Sequence, residues 1–102
     1  MAFVPVCAEG DLPVGEMRRV DVANQAVALY HLQDGFYATT AICTHEYALL
    51  TMGELEGGAV VCPLHGARFD VASGRVLSPP AFKKLKTFPA RVQAGQVEVD
   101  VG

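Results

Sequence analysis

Four residues of this 102-residue chain could grip a metal: Cys43 and His45 in "CTH", and Cys62 and His65 in "CPLH". Each short arm offers one sulfur and one imidazole nitrogen, and "AVV" reads as a strand leading directly into the second arm. A single zinc ion would accept two thiolates and two imidazoles in a tetrahedron. The common zinc-finger order, however, places both cysteines on one arm and both histidines on the other. Two irons bridged by sulfides, one taking both thiolates and the other both imidazoles, need one ligand of each kind from each arm. The mixed order suits that arrangement. A Cys–His nucleophile pair would use one arm and leave the other without a role. A structural zinc module that binds a partner stays open on spacing alone.

The spacers are consistent with ligand loops. Pro63 fixes a backbone angle in the second arm and removes a donor, and Gly66 after His65 permits a sharp turn. Gly53, Gly57 and Gly58 let the first loop return. Backbone N–H groups in such loops could donate to cluster sulfurs and tune a potential.

The elements that must position these arms read as strands. "FVPVC" (3–7) is short and β-rich. "GEMRRVDV" and "QAVALYHL" form two strands joined through Asn24. Asp34-Gly35 signals a hairpin into "FYATT". Residues 41–58 show weak periodicity and several glycines. "AVVC" returns to strand, "ARFDV" follows, and a turn is expected at Ser73-Gly74. "SPP" (78–80) is a rigid loop. "LKTFPARVQ" and "QVEVDV" read as a last hairpin around Ala94-Gly95. With no long amphipathic stretch, repeat or linker, the expectation is an all-β single domain over residues 1–102. His31 and Cys7 fall in strands away from both arms and read as ordinary strand residues, Cys7 as a buried one.

Composition narrows the function. The net charge is −3 and about half the residues, 51%, are apolar, enough for one small core and too acidic for general nucleic-acid binding. There is no apolar run of bilayer length and no basic region ahead of an apolar stretch at the N-terminus, so no membrane and a cytoplasmic location are expected. Three cysteines, an odd number, fit ligands or buried thiols better than disulfides. Charge is uneven: residues 1–60 hold eight Asp/Glu against two Arg, and residues 61–102 hold three Asp/Glu against six Lys/Arg. Glu46, Glu54 and Glu56 flank the irregular loop, and Lys83, Lys84 and Lys86 sit together later. These read either as solvated surface or as faces for charged partners.

The arms together resemble the Rieske ferredoxin family. The match is "CTH", sixteen intervening residues, "CPLHGARFDVASG" and the proline loop "SPP", extending around "GELEGGAVVC" over nearly the whole chain. The resemblance implies a Rieske fold of three antiparallel β-sheets with one 2Fe-2S cluster held by two loops at one tip. It implies Cys43 and Cys62 on one iron and His45 and His65 on the other, with the imidazoles at the tip. High-potential members carry an additional cysteine in each loop, joined as a disulfide; the corresponding positions here are Ala48 and Leu64. Their serine and tyrosine hydroxyls, which bond cluster sulfurs, are replaced by Ala67 and Phe69. Fewer donors imply a low potential.

At 102 residues the chain is expected to include neither a membrane anchor nor a catalytic iron domain. It is therefore similar to the ferredoxin component of bacterial aromatic ring-hydroxylating dioxygenases. That role implies a monomeric electron carrier without chemistry of its own on the aromatic substrate. Its expected partners are an NAD(P)H-dependent flavoprotein ferredoxin reductase and a terminal Rieske non-haem iron oxygenase. A nitrite-reductase-type small subunit is the rival within electron transfer. Many such subunits lack the ligands, and all four are present here.

Overall fold

The computed structural model describes residues 2–43, 48–64, 66–78 and 83–102. Strands β1 (Val4–Ala8), β2 (Met17–Val22), β3 (Gln25–Leu32) and β4 (Gly35–Thr40) come first, followed by β5 (Glu54–Glu56), β6 (Ala59–Val61), β7 (Arg68–Asp70) and β8 (Val76–Ser78). Strands β9 (Thr87–Phe88), β10 (Ala90–Gln93) and β11 (Gln96–Val99) close the chain. They form three antiparallel sheets, ordered β1-β11-β10, β2-β3-β4-β9 and β5-β6-β7-β8. The all-β expectation holds: the helical turns among the described residues are two short 3-10 turns, Glu9–Asp11 and Leu50–Met52.

β3 divides the interior into two core clusters. Val27 and Leu29 pack into a cluster with Leu12, Val22, Phe88, Val97 and Val99. Ala28 and Tyr30 face the other way, into a cluster with Cys43, Leu50, Val60, Cys62 and Phe69. Successive strand residues point to opposite faces, so a central strand buried on both sides must read as the near-continuous apolar run "AVALY". The Tyr30 and Thr39 hydroxyls, both fully buried, satisfy one another at 2.9 Å.

The turns obey backbone chemistry, with one correction. Ala23-Asn24 (φ 51° and 64°) and Ala94-Gly95 (φ 52° and 78°) are two-residue hairpin connections in the left-handed region, as type I′ turns require. The Asp34-Gly35 signal marks a real hairpin, but the connecting residues are Gln33 and Asp34. Gly35 already pairs with Leu32 as the first residue of β4.

Three elements differ from expectation. "LKTFPARVQ" is not one strand. Pro89 has no N–H to give a ladder, so the chain changes sheets there: Phe88 pairs with Ala38 of β4, and Ala90 with Val99 of β11. β5 lies within the stretch read as irregular, and β8 was not expected. Both are three residues long, too short to show an alternating pattern.

Candidate metal centre

Both cysteines sit where a strand gives way to a loop, and both loops close in the same manner. Beyond the end of β4, the Cys43 N–H donates to the Ala48 carbonyl at 2.9 Å; directly after β6, the Cys62 N–H donates to the Ala67 carbonyl at 2.8 Å. Each bond spans five residues and pinches off a short arm. The first arm is fixed further by a bridge between Ile42 and Leu49 and by the Leu50 N–H, which donates to the Ala41 carbonyl at 2.8 Å. In the second, Gly66 takes φ 71°, the left-handed conformation that its place after His65 suggested.

The thiols are 3% and 1% exposed and belong to one apolar cluster with Val60, Ala67, Phe69 and Leu85. None of the three cysteines is joined in a disulfide. Ala67 and Phe69 are both fully buried in this shell, and Phe69 lies opposite Val60 on β6. The lining beside the thiols therefore lacks a hydroxyl at either position.

His45 and His65, the other two expected ligands, lie outside the described residues, as do Glu46, Pro79 and Pro80. Among the described residues, the remaining His, Cys, Asp and Glu side chains form no group of three. Cys7 belongs elsewhere. It lies on β1 opposite Val97, packs with the other core cluster and is only partly buried, less than the buried cysteine expected. Burial pushes its thiol up, with Arg18 opposing. His31 is more than an ordinary strand residue. Its Nδ1 lies 2.6 Å from the Leu12 carbonyl, and its ring stacks on Phe36 at 3.9 Å. It ties the segment before β2 to the central sheet, away from both cysteines.

One surface feature escaped the sequence reading because exposure is not written in residue type. Ile42, Met52 and Leu64 are exposed by 39%, 73% and 43%. Ile42 directly precedes Cys43, Met52 lies on the turn after the first arm and Leu64 lies within the second, so exposed apolar surface forms a partial rim in and beside the arms. The acidic pair noted in the sequence, Glu54 and Glu56, lies on β5, an edge strand of the third sheet, whereas Lys86 directly precedes β9 of the second sheet. No helix among the described residues is long and apolar enough to cross a membrane.

A family model described as "Rieske [2Fe-2S] domain" matches residues 2–89. The naphthalene 1,2-dioxygenase system ferredoxin component of Pseudomonas aeruginosa is 38% identical over 99 residues, covering 97% of this chain and 95% of the relative. The biphenyl dioxygenase ferredoxin subunit of Pseudomonas sp. (strain KKS102) is 39% identical over 101 residues, covering 98% and 93%. Among solved structures, a complex of reduced oxygenase and oxidized ferredoxin in carbazole 1,9a-dioxygenase contains a chain that superposes with TM-score 0.91 at 39% identity, covering 95% of this chain and 91% of that one. The implied cofactor is one Rieske-type 2Fe-2S cluster. The described residues fit it: two thiols lie at the mouths of two similarly closed loops, inside an apolar shell.

Proposed function

Since the chain belongs to the Rieske [2Fe-2S] domain family, we propose that it is a low-potential ferredoxin working in the cytoplasm as a monomer, one Rieske domain over residues 1–102. It carries single electrons from an NAD(P)H-dependent flavoprotein reductase to the terminal Rieske non-haem iron oxygenase of a multicomponent aromatic ring-hydroxylating dioxygenase. The observation that carries this reading is near end-to-end likeness to ferredoxin components of such systems, 97% of this chain against 95% of one relative. It performs no reaction on the aromatic substrate.

When bound, the cluster would supply one-electron redox chemistry. The chain's residues do the rest. Cys43 and Cys62 would hold one iron, and His45 and His65 the other. The two loop-closing bonds, Cys43 to Ala48 and Cys62 to Ala67, fix the thiols before the metal arrives. Val60, Phe69 and Leu85 keep water from the sulfur side. Ile42, Met52 and Leu64 offer a partner apolar surface beside the arms, as small transient redox interfaces need.

The test is a reconstituted chain of purified proteins. The flavoprotein reductase and terminal oxygenase from the same source are mixed with an aromatic substrate and NADH, with and without this protein. The expected result is product formation that depends on this protein and saturates with its concentration. Product formation at the same rate without it overturns the assignment.

A further inference from the structure

Each cysteine arm is closed on itself, and both pack into one apolar cluster. A further contact between them runs through a residue with no side chain. The Leu50 N–H donates to the Ala41 carbonyl at 2.8 Å, and the Gly53 N–H donates to the Leu50 carbonyl at 2.9 Å. This carries the first arm through the 3-10 turn to Gly53. There the chain meets the second arm. A Cβ built on Gly53 would lie 1.9 Å from the Val61 carbonyl oxygen and 3.1 Å from Pro63 Cδ. Val61 and Pro63 flank Cys62, and Glu54 opposite Val61 is the last registered pair of the β5–β6 ladder. Gly53 thus seats its bare Cα against the peptide that enters Cys62.

Its conformation does not demand glycine by sign, since φ is −91°. The requirement is one of space. Real Cβ atoms essentially never come within 3.0 Å of another heavy atom, so a methyl here forces a shift of about 1 Å. The obstacle is a backbone oxygen, which cannot swing aside as the end of a flexible side chain can. The shift therefore passes into the Cys43 arm, the Cys62 arm, or both.

We propose that Gly53 is a positioning residue: its missing side chain sets the separation of the Cys43 and Cys62 arms, and through it the geometry offered to the iron that both thiols hold. This rests on the ligand assignment above. Displacing supporting residues of a metal site typically costs about ten- to a hundredfold in affinity, so Gly53→Ala should release its cluster to a chelator at least about tenfold faster.

Gly57→Ala provides the control. Gly57 turns the other end of the same hairpin at φ 60°, and a methyl group there would meet nothing within 4 Å. Alanine at this position strains the backbone without pressing on either arm. Wild type and both variants are purified as holoproteins and compared by reduced-state EPR, reduction potential, chelator-driven cluster loss, thermal melting and far-UV circular dichroism. The proposal expects shifted g values and potential with faster cluster loss in Gly53→Ala, and wild-type g values in Gly57→Ala even where its melting temperature drops. A folded but colourless Gly53→Ala also supports it. Wild-type g values and cluster lifetime in Gly53→Ala overturn it. So does an unfolded Gly53→Ala chain, which would assign the glycine to the hairpin as a whole. A wild-type protein without iron and sulfide would instead overturn the ligand assignment itself.

Discussion

The Arg68 guanidinium on β7 pairs with the Glu56 carboxylate on β5, reaching across the intervening strand β6. Both side chains are nearly half exposed, so the pair adds little stability. Its consequence is electrostatic: one of the two negative charges on the β5 edge is already answered within the sheet, leaving Glu54 as the stronger source of field there. A positive patch on a partner is steered by net charge at the rim. Glu54→Lys should therefore slow electron transfer several-fold at low salt and weaken its salt dependence, whereas Glu56→Gln should act less because its charge is already countered by Arg68. Stopped-flow transfer rates across ionic strength check this. Unchanged rates for Glu54→Lys at every salt concentration would reduce the acidic edge to solvated surface.

The apolar rim gives a complementary expectation. Met52 is 73% exposed on the turn between the two arms. Burying a side chain of this size on docking is worth about 1.5–3 kcal/mol at most, and roughly 1.4 kcal/mol is tenfold in affinity. Met52→Gln, which keeps part of the apolar stem, should raise the concentration of this protein needed for half-maximal oxygenase turnover by about tenfold, the low end of that range, with the visible spectrum unchanged. Equal half-saturation for variant and wild type would remove Met52 from the interface.

Tyr30 gives the protein an alkaline limit. Burial pushes its phenol well above the ordinary value of 10.0. The folded-state value exceeds the unfolded one, so the stability held by the neutral phenol is complete below pH 10 and is lost as pH rises toward the folded value. Thermal melts should fall from about pH 10 upward in wild type and more shallowly in Tyr30→Phe. The substitution leaves Thr39 bonded to the Thr40 carbonyl at 2.8 Å. It should cost about 1 kcal/mol near neutrality, or about 4–8 °C. Parallel alkaline curves for the two proteins would contradict this.

Ligand and scaffold roles separate cleanly by substitution. Cys43→Ser should abolish the native EPR spectrum, as should His65→Ala. His31→Gln should keep that spectrum and lower the melting temperature, since the Leu12 hydrogen bond and the Phe36 stack are lost. Loss of the cluster in His31→Gln, or its full retention in either of the others, would reverse the assignment.

The cluster family was legible in the sequence because motif identity and spacing are local; Cys43 and Cys62 emerge buried at the mouths of two loops, and Gly66 takes the turn its position suggested. The three-sheet architecture came from the resemblance rather than from periodicity. Pro89 shows the limit of local reading: its missing donor was visible, but that its neighbours join different sheets depends on β4 and β11, distant in the chain. β5 and β8 were hidden by their length. The Gly53–Val61 seat was hidden too, because "MGEL" carries no sign that a carbonyl from eight residues on will occupy the space of a side chain.

The reduction potential tests the account most directly, because it requires both the cluster and its apolar setting. Rieske centres span about −150 to +300 mV. With Ala67 and Phe69 buried and offering no hydroxyl, protein-film voltammetry on wild type should give a value near the low end, around −150 mV. In Phe69→Tyr, a hydroxyl that bonds a cluster sulfur favours the reduced state by about 1 kcal/mol, which raises the potential by roughly 40 mV. Ala67→Ser should move it in the same direction where its smaller hydroxyl reaches a sulfur. A one-electron wave near −150 mV that rises in Phe69→Tyr is the predicted result; a wild-type potential well above zero, or no iron–sulfur wave at all, would contradict the account.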